Sequence, residues 1–291
     1  MRSGRHEAAW AIQLAELAAR DPAARDDPRL PYHLRWVWDG RPFDGRDVLV
    51  RCYHGLGDTL QYARYLSALA ARARSVTVEA QARLVPLLAQ IADVTVVPFD
   101  LAAPRLPAEC DIEITELPLA LRLPPDGVAM PYLHWPAAAL PAGTIGLCGQ
   151  AGDWDPDRSI PPGLLAPLCA AHPVVMLTPG ATDLPCRNPQ GCPYDMAETA
   201  ALVAGVDLVI TVDTMIAHLA GALGRPTWLL LKAEPDWRWD PTRRDTPWYP
   251  AMRLYAQPRR GDWTSVLAAV RADLDAFSQS RSRRSLVAWP A

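Results

Sequence analysis

Short β-branched apolar runs alternate along this chain with longer stretches in which apolar residues recur every three or four positions. These are the signatures of buried strands and of one-faced helices. Residues 6–20 come first, a helix with Trp10, Leu14 and Leu17 on one face. An Asp/Pro/Arg stretch, 21–31, is a linker, and the aromatic segment 32–38 reads as a strand or a packing arm. Residues 47–52 form the first clear strand, which turns into a helix ending near Arg72 with Tyr62, Leu66, Leu69 and Ala73 on its buried face. A strand (75–80), a helix (83–91), two strands (94–98 and 111–115) and a short helix (117–121) continue the alternation. The Pro-rich segment 124–141 marks a crossing between domains.

A second series opens with a strand at 144–149 and a polar loop at 150–162. A helix (163–170), a strand (173–178), a long Gly/Pro/Asn/Cys loop (179–194) and a helix (196–204) follow. Residues 207–231 then read as strand, turn, helix, turn, strand. Ile216, Leu219, Ala220 and Leu223 make that helix one-faced, Asp213 stands where an N-cap belongs, and Gly224 and Pro226 stop it. A loop rich in Trp and charge (232–250) leads to a final helix (263–277), and the Ser/Arg-rich residues 278–291 are expected to be disordered.

This pattern predicts the α/β class, with parallel sheets covered by helices. The expected organisation is an N-terminal helix and arm (1–45), a first α/β domain (46–140) and a second (141–277), with the last helix free to return onto the first. Ligands of such sheets bind beyond the carboxyl ends of the strands, so the cleft between the domains is the expected site.

Composition narrows the picture only a little. With 291 residues, half of them apolar, the chain has material for two cores, and a net charge of −3 gives no electrostatic footprint for nucleic acid. No apolar run reaches membrane-spanning length, and the N-terminus, with Glu7 and Glu16 interrupting it, does not read as a secretory signal. The expected location is the cytoplasm. The six cysteines are scattered, so incidental thiols are expected, with a Cys186–Cys192 clip as the alternative.

Two strand-to-helix junctions carry candidate chemistry. After the first strand comes Tyr53-His54-Gly55-Leu56-Gly57-Asp58, where the glycines permit a tight turn and Asp58 is either a helix cap or a carboxylate facing the cleft as general base. After the strand 207–212 come Asp213, Thr214 and Met215, at a helix start whose unpaired N–H groups and dipole suit a phosphate. His218 lies one turn on, as a surface residue or a second cleft contact. Trp237, Trp239, Trp248 and Tyr249 suit base or sugar stacking, or simply pack.

The motifs GLGDTLQYARYL and SVTVEAQ, then DRSIP, MAETAALVAGVDLVITVDTMIAHLAGALGRPTWLLL, PDWRW and GDW, resemble the family 9, heptosyltransferase-like glycosyltransferase domain. That domain is found at the C-terminus of bacterial tetratricopeptide-repeat glycosyltransferases. The resemblance runs over roughly residues 35–270. It implies a GT-B fold, two Rossmann-like domains facing across a cleft. It also implies inverting transfer of a sugar from a nucleotide-sugar to a glycan or protein acceptor, with no cofactor and no metal. On that pattern Asp58 takes the acceptor proton, and Arg158 and Asp213 complete the catalytic set. Gly57, Thr214, Met215, His218 and Lys232 hold the donor, and His54 and Gln61 hold the acceptor.

The chain departs from the pattern in several places. Tyr53-His54 replaces a common Glu-Gln, Arg158 stands near a usual lysine, and Pro179-Gly180-Ala181-Thr182 replaces a segment carrying an acid. Lys232, the only lysine, and Glu234 replace apolar residues. Two other readings therefore accompany transfer: a non-catalytic protein that binds a nucleotide-sugar or a partner, and a nucleotide-sugar epimerase.

Overall fold

The computed structural model describes residues 6–192 and 195–287. Helix α1 (His6–Ala19) buries Trp10. Two 3₁₀ turns, Pro22–Ala24 and Tyr32–Leu34, then carry the chain to the first sheet. The aromatic segment is an arm: Trp38 is buried and its indole donates to the Arg41 carbonyl at 2.9 Å.

The first sheet is wholly parallel. Its strands are β1 (Asp47–Arg51), β2 (Ser75–Ala80), β3 (Thr95–Pro98) and β4 (Cys110–Glu113), in the order β3-β2-β1-β4. The helix expected to reach Arg72 is broken: α2 (Leu56–Tyr62) tightens into a 3₁₀ turn, Ala63–Tyr65, before α3 (Leu66–Ala70). Arg64 lies inside that turn, buried, with Nε donating to the Gln61 carbonyl at 2.8 Å and Nη1 to the Trp248 carbonyl at 2.7 Å. Helices α4 (Val85–Leu88) and α5 (Leu117–Leu121) are short. Within the sheet, Arg51 is buried between Glu79 and Asp111, 2.7 Å from each.

The second sheet is also parallel. It holds β5 (Ile145–Cys148), β6 (Val174–Met176), β7 (Leu208–Val212), β8 (Thr227–Leu231) and β9 (Met252–Ala256), in the order β6-β5-β7-β8-β9. Helices α6 (Pro162–Ala171), α7 (Met196–Gly205) and α8 (Met215–Ala222) connect its strands. Helix α9 (Trp263–Val287) runs on through most of the segment expected to be disordered; residues 288–291 lie outside those described. Its Trp263, Val266, Leu267 and Val270 pack with Ile145, Leu168 and Trp228, so this part of the helix covers the second sheet.

One core cluster joins the first sheet to the facing side of the second: Val50, Val78 and Leu66 share it with Val209, Leu219 and Leu229. The two halves meet through α2 and α8. A Cβ on Gly57 would lie 3.0 Å from the His218 ring and 3.4 Å from Met215 Cα, so the missing side chain is what lets these helices touch.

Candidate active site

In each sheet the strand order reverses once, between β1 and β4 and between β5 and β7. Ligands of open parallel sheets bind beyond the carboxyl ends of the strands at such reversals. Here both reversals face one cleft of about 1470 Å³. His54, Gly57, Asp58 and Glu116 line one wall; Arg158, Asp213, Thr214, Met215 and Lys232 line the other.

On the second wall, β7 ends at Val212 and α8 begins at Met215. The N-cap is Thr214, not Asp213: its Oγ1 accepts from Ile216 N at 3.3 Å. The Thr214 oxygen thus closes the helix by accepting, and its O–H keeps a proton to donate at the cleft wall. Asp213, freed from capping, faces the cleft, and burial pushes its carboxyl up to about 6 against the opposing pull of the Trp239 indole and the Arg158 guanidinium. Arg158 Nη1 donates to the Asp213 carbonyl at 2.7 Å, which sets a cation beside the start of α8. Lys232 follows β8 and is 2.6 Å from Asp155 Oδ2, so the loop carrying Arg158 is tied to the end of β8. Asp157 of the same loop pairs with Arg260 at 2.6 Å.

His218 also lines the cleft, as a buried ring. It is 6% exposed, its Nδ1 is 3.0 Å from the Tyr249 hydroxyl, and it stacks on Trp239 at 5.8 Å. Burial pulls its pKa well below the ordinary histidine value and keeps the ring neutral. Trp239, Trp248 and Tyr249 are buried, so this part of the aromatic loop packs, whereas Trp237 is 42% exposed.

On the first wall, Asp58 lies within the first turn of α2. One carboxylate oxygen accepts from Gly55 N at 3.1 Å and the other from Arg238 of the second half. Arg238 also donates to Gln61 Oε1 at 2.7 Å and pairs with Asp236 at 3.0 Å. Gln61 is fully buried with its oxygen held by Arg238, which corrects its expected role as an acceptor contact. Arg238 was not read from the sequence, although the charged Trp-rich loop that carries it was. His54 ends the β1 turn with its ring in the cleft and Nδ1 3.0 Å from Glu113 Oε1. Glu113, the last residue of β4, is 1% exposed and was also missed.

All six cysteines are free; Cys192 lies 3.2 Å from the Thr199 hydroxyl, and no Cys186–Cys192 bridge forms. Among the described residues no helix is long and apolar enough to cross a membrane.

Comparison with known proteins bears on the fold and on part of the second half. Residues 192–257, which include β7, α8, β8 and β9, match the model of glycosyltransferase family 9 (heptosyltransferase). Protein FlbA of Caulobacter vibrioides is 37% identical over 89 residues, spanning 30% of this chain and 14% of that protein. Among solved structures, the iron-containing dodecameric glycosyltransferase TibC of enterotoxigenic E. coli superposes with a TM-score of 0.56 at 15% identity. That match covers 72% of this chain and 63% of TibC, so the chain spans less than two thirds of both proteins. The ADP-heptose lipopolysaccharide heptosyltransferase II of E. coli gives a TM-score of 0.52 at 17% identity, over 80% of this chain and 99% of that one. The family 9 match is carried by residues 192–257, and the α/β fold of parallel sheets is shared with the solved heptosyltransferase II and TibC structures.

Proposed function

We propose that the protein transfers a sugar from a nucleotide-sugar donor to an acceptor hydroxyl, with inversion at the anomeric carbon and no metal. The observation that carries this reading is Arg158, held against the Asp213 carbonyl beside the start of α8 and facing the first wall across the cleft. A helix start and a guanidinium stabilise the charge that develops on a leaving diphosphate, the task a metal ion performs in other transferases. Met215 N–H and Arg158 hold the diphosphate, with Lys232 nearby at the end of β8. TibC has been solved in complex with ADP-D-β-D-heptose, and an ADP-linked heptose is accordingly the first donor to try.

The acceptor approaches from the first wall, where Asp58 and His54 face the cleft. Its oxygen bonds to the anomeric carbon from the face opposite the diphosphate, the bond to the diphosphate breaks with its electron pair, and the acceptor proton passes to that wall. A panel of nucleotide-sugars, screened by thermal shift and by donor consumption with hydroxyl acceptors, tests the reading. At least one donor should stabilise the fold and be consumed in the presence of a chelator. Activity lost in chelator and restored by magnesium or manganese would overturn the metal-independent mechanism, and no stabilisation by any donor would overturn the function.

A further inference from the structure

The first wall holds a second proton-handling group. His54 and Glu113 are 59 residues apart in sequence, but β1 and β4 are neighbours, and the pairing Arg51↔Glu113 brings the two strand ends together at the reversal of the first sheet. Glu113 is fixed. Its Oε2 accepts from Thr115 N at 2.7 Å and from the Thr115 hydroxyl, and its Oε1 accepts from Tyr53 N at 3.3 Å. The remaining partner of Oε1 is His54 Nδ1 at 3.0 Å. A carboxylate can only accept from that nitrogen, so Nδ1 carries the proton and the Nε2 lone pair is left for the cleft. The His54 side chain is 32% exposed while Glu113 is 2% exposed, the arrangement of a reactive ring oriented by a buried carboxylate.

Asp58 is placed differently. Both of its oxygens are engaged, one by Gly55 N–H and one by the Arg238 guanidinium, which also grips Gln61 and Asp236. That is the geometry of a carboxylate anchoring a cation across the cleft. Resting on the glycosyl transfer proposed above, we infer that His54, oriented by Glu113, is the general base that takes the acceptor proton, and that Asp58 positions Arg238. In the step, the acceptor oxygen forms the new bond to the anomeric carbon, its proton passes to His54 Nε2, and the diphosphate leaves with the electrons of the broken C–O bond.

The pH dependence separates this from an Asp58 base. The charged groups acting on His54 are Glu113 and Asp58, which raise its pKa, and Arg238, which lowers it together with burial; the hydrogen bond that His54 donates to Glu113 dominates and the net shift is upward from 6.5. The rate of transfer should therefore rise with pH through a limb whose midpoint lies above 6.5. The Glu116 carboxyl behind Glu113 is pushed up to about 7 by burial and needs its own control.

The experiment measures kcat and donor KM against pH for the wild-type chain and for His54→Gln, Glu113→Gln, Glu116→Gln and Asp58→Asn. His54→Gln should lower kcat by about 10²–10⁴-fold and remove the limb. Glu113→Gln should move the limb to lower pH with donor KM little changed, a readout that loss of structure alone would not give. The limb should persist in Glu116→Gln and in Asp58→Asn. If His54→Gln keeps its rate and limb, or if Asp58→Asn alone abolishes transfer, the assignment to His54 is wrong while the transferase reading stands. No transfer by the wild-type chain with any donor would overturn that reading, and this one with it.

Discussion

At the scale of single residues, one position decides how the second wall works. From sequence, Asp213 and Thr214 are both good N-caps, and only the backbone shows that Thr214 caps while Asp213 is pressed into the cleft. Its carboxyl moves from 3.8 to about 6 on folding. Between those values the folded chain holds more protons than the unfolded one, so this group makes stability fall as pH rises from 3.8 through about 6 and leaves it lower above. Asp213→Asn removes the ionisation. Relative to its acid baseline, the variant should gain about 1–3 kcal/mol over wild type as pH rises, levelling off above neutrality. Urea midpoints from pH 4 to 8 would show it, and a difference that ignores pH would contradict it. On the proposed transfer, Arg158→Ala removes one charge-assisted contact to the diphosphate, an effect of about 1.5–3 kcal/mol. Donor affinity by calorimetry should fall roughly ten- to hundredfold, with the fold intact.

Elements were more legible than residues. The alternation of β-branched runs with amphipathic stretches located eight of the nine strands, because buried parallel strands read as continuous apolar runs. Strand β9 was the exception: MRLYA is short, carries Arg253, and sits directly after an irregular loop. The break of the long helix at Ala63–Tyr65 was also invisible, since it goes with Arg64 reaching a carbonyl of residue 248. Two substitutions test the packing of elements. Gly57→Ala places a methyl group 3.0 Å from a His218 ring already pinned by Tyr249 and Trp239. Overpacking of this kind costs about 1–3 kcal/mol, and denaturant unfolding should show that loss; unchanged stability would mean that α2 and α8 can slide apart freely. Arg51→Leu strands Glu79 and Asp111 inside the first sheet, where removing one partner of a buried pair costs about 3–5 kcal/mol. The same denaturant series should place this variant below Gly57→Ala.

Over the whole molecule, the sequence pointed to the two strand-to-helix junctions and to a cleft between two parallel sheets. What it could not show is which side chains meet across that cleft. Asp58 and Arg238 are 180 residues apart, and their pairing exists only because α2 and α8 touch. His54 and Glu113 meet because the first sheet reverses between β1 and β4. Gln61, three residues after Asp58 and one turn along α2, ended up inside the protein for the same reason of packing. Local patterns report elements and their faces, whereas a site assembled from the ends of several strands depends on topology.

The central claim is that a nucleotide diphosphate binds at the start of α8, on the second wall. Backbone amide chemical shifts during titration with a nucleoside diphosphate test it most directly. Met215, Ile216 and Ala217, together with Arg158 Nε, should shift first and saturate together. Shifts confined to Gly55 through Asp58 would mean that the walls exchange roles and would contradict the account.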